Sequence, residues 1–388
     1  MLVNYDRIYI KKEGESMRII IKVGSNTLVK DNHKINIDNI DKIISIINDL
    51  RNDGNEVLLV TSGAVAFGMN KLNLDKKPKA ISLKQACAAI GQVSLMATYE
   101  NECAKYGFSC AQILLCQDDF ENRVRMLNMT NTIEELFENN VLPIVNENDA
   151  LAVEEIKVGD NDTLSSQLVP MINAKILILV SDIDGLYDKN PKEYKDAKLI
   201  EVVEDINADL YKMVGDKITS YGTGGMETKL NAASIATNAG ARMYIVSEKN
   251  LDNIKNACNG TFKGTLFKEK EKRITNRMHW LIFKTKSSGD IIVDDGAAHA
   301  ILKHTSLLPI GIVDVKGEFL KDSVVYIKDR NDNILAKGIT NYGSEEIKEI
   351  KGLKLDEVKK IIKDKRKDEV VHASDLIIYD GEDYDKFK

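Results

Sequence analysis

Histidine is scarce in this chain: there are five in 388 residues, and only His33, in a polar turn-like stretch, precedes residue 279. A histidine base, a Ser-His-Asp triad or a histidine-rich metal site is thereby nearly excluded from most of the sequence. Cysteine is also sparse. Cys87, Cys103, Cys110, Cys116 and Cys258 are odd in number and contain no CxxC pair. Neither a disulfide framework nor a zinc ribbon is expected, and the five read as small buried hydrophobes in a reducing compartment. No apolar run approaches the ~18 residues of a membrane helix. The first sixteen residues, MLVNYDRIYIKKEGES, lack the apolar core of a signal peptide. A soluble, cytoplasmic protein with no membrane association is expected. A basic excess is missing too: the net charge is −6. That argues against nonspecific nucleic-acid binding, which needs a cationic surface.

Hydrophobic residues make up 43% and charged residues 29%, enough apolar material for a large α/β domain and a smaller one. From Met17 to about Phe267, short β-rich runs alternate with helical patterns. RIIIKV, EVLLVTSGA (running into a Gly-containing turn), FSCAQILL, VLPIV, AKILILVSD and ARMYIVS read as strands. IDNIDKIISIINDLRNDG and LKQACAAIGQVSLMATYENECAKYG read as helices, with Gly54 and Gly107 placed near their ends. This order predicts parallel βαβ units in a three-layer αβα sandwich, with ligands gathered at the carboxyl ends of the strands. After about Met278 the runs are mostly β, with turn residues between them. The boundaries predicted are an extension over 1–16, the α/β domain over 17–270, a linker over 271–288, a smaller mostly-β domain over 289–380 and a tail over 381–388. The lysine-rich stretch near residues 351–368 reads as a solvated helix face.

With only His33 before residue 279, lysine, carboxylate, amide and backbone N–H groups remain, which suits phosphoryl transfer by positioning and charge neutralisation. Lys22 ends an apolar strand just before the Gly24-Ser25 turn. Such a lysine is either held for an anion or reaches out to water from a sheet edge. Ser62 and Gly63 end the second strand, where a plain strand-to-helix turn is an equal reading. Asn146, Glu147, Asn148 and Asp149 follow the strand VLPIV, and Gly159, Asp160, Asn161, Asp162 and Thr163 open a helix. Asx residues are ordinary caps and turn formers. Two such clusters bracketing one hairpin, however, suit a small zwitterion. Calcium is a weaker rival, because the ligand order of an EF-hand is lacking. Ser181 and Asp182 open a polar loop through Tyr187 to Pro191, readable as a nucleotide edge or a turn. Finally SYGTGGMETKLNAA has the glycines and lysine of a phosphate loop, but Thr228 and Leu230 flank Lys229 where a Walker loop needs Gly and Ser or Thr. A lysine at the positive end of a helix dipole is unfavourable unless an anion lies nearby.

Taken in order, KVGSNTL, VTSGAVAFG, PIVNENDA, EIKVGDNDTLS, SDIDGLYDKNP and GTGGMETKLNAA resemble the amino acid kinase family. DDGAAHAILKHTSLLPIGI resembles the start of a PUA domain. Together the likeness spans about residues 17–380. The resemblance implies ATP-dependent phosphorylation of the γ-carboxylate of L-glutamate, with Mg2+ carried by ATP, to give glutamyl 5-phosphate on the way to proline. By that resemblance, Lys22 and Lys229 neutralise the transferring phosphoryl group and Asp162 holds both lysines. Ser62, Asp149, Asn161 and, more weakly, Asn146 bind glutamate. ATP is held by Lys22, Gly24, Gly63, Ser181, Asp182, Thr223, Gly224, Gly225, Met226, Glu227, Thr228 and Lys229. No protein ligand set for the metal is implied. The family more often has Thr where this chain has Ser181, and both supply a hydroxyl. Proline as feedback inhibitor, a homo-oligomer and glutamate-5-semialdehyde dehydrogenase as a partner are implied as well. The C-terminal domain carries more acidic than basic residues, so a structural or regulatory role is expected there rather than RNA binding. The alternatives are a sister kinase acting on another small acid, and a regulatory RNA-binding PUA protein.

Overall fold

The β-branched run RIIIKV becomes strand β1, Arg18–Val23, in the interior of a large sheet. A computed structural model describes residues 16–30, 34–151, 161–191, 193–214, 225–270, 287–303, 305–362 and 368–378. It divides the chain into two units, residues 1–274 and 275–388. In the first unit, α1 (Ser25–Leu28) and α2 (Ile37–Asn52) lead to β2 (Glu56–Val60). Next, α3 (Ala64–Lys71) and α4 (Ile81–Lys105) lead to β3 (Cys110–Leu115). Then come α5 (Gln117–Glu121), α6 (Arg123–Glu138), β4 (Leu142–Glu147), α7 (Asn161–Met171) and β5 (Ile176–Ser181). The short β6 (Leu186–Tyr187), β7 (Leu199–Ile200) and β8 (Val202–Val203) precede α8 (Ala208–Val214) and α9 (Met226–Asn238). The unit closes with β9 (Arg242–Ser247), α10 (Asp252–Cys258) and β10 (Gly264–Phe267).

Eight strands pair in the order β3-β4-β2-β1-β5-β9-β10-β8. The parallel sheet predicted from sequence needs one correction, because β10 runs antiparallel to β9 and the sheet is mixed. The connection through the seven-residue α10 is brief, and an antiparallel neighbour needs no crossover back along the strand. Alternation along β1 divides the core. Ile19, Ile21 and Val23 pack with α2 residues Ile40, Ile43, Ile44 and Ile47 on one face. Ile20 packs on the other with Leu164 and Leu168 of α7 and Leu230 and Ala233 of α9. Each such side chain contributes about 1.5–3 kcal/mol on full burial. Because strand side chains alternate, Lys22 shares the face of Ile20, the one covered by α7 and α9.

Helices α3 and α4 meet where neither tolerates a side chain. A Cβ on Gly68 would lie 1.9 Å from the Cys87 carbonyl oxygen, and one on Gly91 would lie 1.8 Å from the Ala64 carbonyl oxygen. Alanine at a helical glycine ordinarily gains up to ~1 kcal/mol in propensity. Overpacking against backbone costs about 1–3 kcal/mol and decides the sign. Gly91→Ala is therefore expected to lower the denaturant midpoint at unchanged m-value; an equal or higher midpoint would mean that the two helices can separate without cost.

In the second unit, β11 (Asp290–Val293), β12 (Ile312–Lys316), β13 (Val324–Lys328), β14 (Ile334–Thr340) and β15 (Val371–Ile378) pair in the order β12-β11-β13-β14-β15. Of these pairs only β11–β13 is parallel. Ile291, Val293, Val325, Ile327, Ala336 and Leu376 form its core. Asp294 caps the helix Asp295–Ile301 by accepting from the Ala297 N–H at 2.7 Å. Lys359 and Lys360 are exposed on the helix Leu355–Ile361.

All five cysteines are free; Cys87 and Cys103 are buried, but Cys110, Cys116 and Cys258 are only half-buried, unlike the expectation for all five. Among the described residues, no helix is long and apolar enough to cross a membrane. His33, nearly all of the extension, the stretch 152–160 predicted as a hairpin, with Gly159 and Asp160, Thr223, Gly224, most of the linker and the tail lie outside the described residues.

Candidate active site

Lys22 is not at a sheet edge. Its strand lies between β2 and β5, with Lys22 opposite Val60 and Leu179, and its ammonium meets Asp162 instead of water. Lys22 Nζ is 2.5 Å from Asp162 Oδ1, and Lys229 Nζ is 2.8 Å from Asp162 Oδ2. Asp162 is 1% exposed and the two lysines 9% and 6%. Thus three elements far apart in sequence, β1, α7 and α9, deliver one carboxylate and two ammonium groups to one buried point. Among the described residues, neither ammonium pairs with a second carboxylate. Burial alone would raise the Asp162 carboxyl, but the coulombic and hydrogen-bonding effects of Lys22 and Lys229 hold it below the ordinary carboxylate range. Asp162 also sits in the first turn of α7, where a helix dipole favours an anion. The unfavourable dipole at Lys229, near the start of α9, is therefore answered by a carboxylate from another helix. The cluster has one positive charge in excess, suited to a further anion.

Beside it, the turn after β2 is fixed by Gly63, whose φ of 94° is a left-handed conformation open to glycine. A Cβ on Gly63 would lie 4.0 Å from Ser25 Cα, so the turns after β1 and β2 are neighbours. Asn161 Nδ2 donates to the Thr61 carbonyl and to Ser62 Oγ, both at 2.8 Å, and to Asn146 Oδ1 at 3.2 Å. Because Ser62 Oγ accepts from Asn161, its own proton is free to point outward. With its nitrogen committed, Asn161 leaves Oδ1 buried and, among the described residues, without a hydrogen-bond partner. A hydroxyl donor and an amide acceptor thus stand side by side, the pair needed for a carboxylate and an ammonium. Asp149 follows the end of β4; burial raises its carboxyl and Lys77 partly offsets this.

On the other side of β1, Ser181 ends β5 and its Oγ donates to Asp182 Oδ1 at 3.2 Å. The Ser181 carbonyl accepts from Glu248 N at 2.8 Å, and Glu248 Oε2 accepts from Thr27 Oγ1 at 2.8 Å. The ends of β1, β5 and β9 are thereby tied together. Gly24 precedes α1. Gly225 precedes α9 as its N-cap, followed by Met226, Glu227 and Thr228; Thr228 Oγ1 donates back to the Gly225 carbonyl at 2.7 Å. Among the described residues no side chain caps this end, which leaves backbone N–H groups for an anion.

The sequence pattern that defines the amino acid kinase family matches residues 17–247 of the chain. The chain belongs to the amino acid kinase family. A PUA domain match follows over residues 289–362. Similar curated proteins include the glutamate 5-kinase of Thermoanaerobacter sp. (strain X514), 47% identical over 364 residues, 93% of this chain and 98% of that protein. Another is the glutamate 5-kinase of Caldanaerobacter subterraneus subsp. tengcongensis, 46% identical over 371 residues, 95% of this chain and 100% of that protein. Among solved structures, the carbamate kinase from Giardia lamblia bound to AMP-PNP is similar at 19% identity and a TM-score of 0.48, covering 66% of this chain and 99% of that one.

In this amino acid kinase the structure brings together Lys22, Asp162 and Lys229, and separately Ser62, Asn146 and Asn161. Among the described residues, Asp149 makes no hydrogen bond to the second group. Sequence reasoning missed the residues behind that group. Thr61, whose carbonyl orients Asn161, has its hydroxyl 2.8 Å from the buried Tyr99 OH. Gln92 Oε1 accepts from Asn146 Nδ2 at 3.0 Å, and Gln92 Nε2 donates to Gln112 Oε1 at 3.0 Å. A signal for Gln92 existed: it interrupts the otherwise apolar stripe Ala88, Leu95 and Tyr99 of α4, where a polar residue needs a partner.

Proposed function

We infer that this chain is a glutamate 5-kinase, transferring the γ-phosphoryl group of ATP to the γ-carboxylate of L-glutamate. The observation that carries this reading is the buried carboxylate between two ammonium groups, adjoining a donor and acceptor matched to a zwitterion; the near-full-length likeness to glutamate 5-kinases supports it. The nucleophile is a carboxylate with an unperturbed pKa of ~4.3, already ionised at neutral pH, so no general base is required. A γ-carboxylate oxygen forms the new P–O bond while the bond from the γ-phosphorus to the β–γ bridging oxygen breaks. The electron pair of that bond leaves on ADP, and the product is an acyl phosphate.

The obstacle is repulsion between the incoming carboxylate and the phosphates, and electrostatic stabilisation addresses it. In this reading Lys22 and Lys229 neutralise the transferring group and Asp162 fixes the distance between them. Mg2+ enters with ATP as part of that substrate. Ser62 donates to the α-carboxylate of glutamate, Asn161 and Asp149 take the ammonium, and Asn146 supports Asn161. Gly24 and Gly63 offer N–H groups to phosphate, while Ser181, Asp182 and the run Thr223 to Lys229 hold the nucleotide. Proline inhibition, a homo-oligomer, a partner dehydrogenase and a cytoplasmic setting belong to the same reading. A coupled ADP assay with glutamate, aspartate and N-acetylglutamate, with and without proline, tests it. Turnover that does not prefer free glutamate overturns it in favour of a sister kinase.

Asp149 supplies a pH test. Its raised carboxyl must ionise to meet an ammonium. On acidification the KM for glutamate is expected to rise beginning above the ordinary carboxylate range, while the KM for ATP stays level. Asp149→Asn should show a high KM with no such dependence. A glutamate KM that is flat until the ordinary range would separate Asp149 from the ammonium.

A further inference from the structure

The amide groups behind the turn after β2 form a chain with one polarity. Gln112 accepts from Gln92, Gln92 accepts from Asn146, and Asn146 Oδ1 accepts from Asn161 Nδ2 and from the Glu147 N–H at 3.0 Å. The Thr61 carbonyl, which cannot turn round, fixes the Asn161 nitrogen at the other end. The result is an Asn161 Oδ1 that is buried and has no partner among the described residues. Such an acceptor is costly to leave open, and an open acceptor is what an ammonium requires.

We propose that Gln92 is a positioning residue that keeps the Asn161 acceptor open for the substrate's α-ammonium by holding the Asn146 donor away from it. The inference rests on the glutamate reading above. Asn146 is 1% exposed, so its Nδ2 must find an acceptor inside the protein. Gln92 provides one. Without it, an unpartnered acceptor is close at hand on the very amide whose nitrogen already lies 3.2 Å from Asn146. An Asn146 that turns to Asn161 Oδ1 satisfies both groups and removes the ammonium's partner. Gln92 reaches this position because Gly91 lets α4 press against α3, with no room for a Cβ. Gln112 is exposed and can rotate its amide to suit either an amide or a carboxylate at position 92.

The test compares Gln92→Met, which removes the acceptor at similar volume, with Gln92→Glu, which retains it. Glutarate, which is glutamate without its amine, is the probe, measured as a competitive inhibitor. Gln92→Met is expected to raise the glutamate KM about tenfold, the order of one charge-assisted hydrogen bond. The glutarate Ki and the ATP KM should stay within threefold. Gln92→Glu should return the glutamate KM to within threefold of the unsubstituted chain. Equal loss of glutamate and glutarate affinity in Gln92→Met, no change in either, or a Gln92→Glu variant as impaired as Gln92→Met overturns the proposal. Thermal unfolding of each variant accompanies the kinetics, so that the constants refer to folded protein. Absence of glutamate turnover in the unsubstituted chain would instead overturn the proposed function itself.

Discussion

Lys229→Met is expected to lower kcat by about three orders of magnitude while the KM for glutamate moves little. Removing a single preorganised donor from a developing anionic centre commonly costs 10²–10³-fold in rate, and an ammonium on a transferring phosphoryl group acts on more charge than a neutral donor does. Lys229 is buried, and methionine preserves its unbranched stem while removing the charge. The fold should survive, because Asp162 keeps Lys22 at 2.5 Å and is not left bare. The stability loss should accordingly fall below the 3–5 kcal/mol typical of stranding a buried charge completely. Steady-state ADP release and a thermal melt check both halves. A kcat within tenfold of the unsubstituted chain would remove Lys229 from the chemistry. Lys22→Met should behave alike, and the double variant should be little worse than either, since groups acting as a unit are not additive.

Asp162→Asn is the opposite case, with a smaller kinetic effect and a larger structural one. It leaves two ammonium groups facing each other at a buried point, a loss of about 3–5 kcal/mol by the measure of broken buried pairs. The pH dependence has a defined sign. The carboxyl is held below its ordinary range in the folded protein, so its stabilisation is complete above the unfolded pKa of ~3.9 and disappears as pH falls through the lower folded value. The unsubstituted chain and the variant should therefore differ most at neutral pH and converge only in strong acid. Lysines that are no longer held at a shared carboxylate should also drift, and a displacement on the order of 1 Å can cost about a hundredfold in rate. ATP binding should nonetheless stabilise the variant more than the unsubstituted chain, because phosphate would meet two uncompensated charges. A variant as stable at pH 7 as the parent, with an equal thermal shift on adding ATP, would show that Asp162 does not hold the lysines.

The local elements were legible because their causes are local. Alternating apolar runs and helical periodicity located β1, β2, β5, α2 and α4 to within a few residues, and the glycine at position 63 announced a turn. The antiparallel β10 was not legible, since strand direction depends on how a connection packs and not on the strand's own four residues. Lys22 shows the limit most clearly. In sequence, a partnered lysine and one reaching to water from an edge look the same. Its place between β2 and β5, and its alternation with Ile20, decide between them by turning it toward α7 and α9. Gln92 was passed over because a lone glutamine in a helix carries no motif; its partner Asn146 is fifty-four residues away.

By itself, the sequence determined the chemical vocabulary: almost no histidine, two lysines at element boundaries, and two amide and carboxylate clusters about a dozen residues apart. That vocabulary disfavoured an imidazole base and suited charge neutralisation. The tertiary structure alone decided which of these groups meet. It set one carboxylate against two ammonium groups and aligned four amides with a single polarity. The physical reason is range: propensity and periodicity act over a few residues, whereas the energy of a buried charge depends on partners that only the assembled sheet and its covering helices bring within 3 Å.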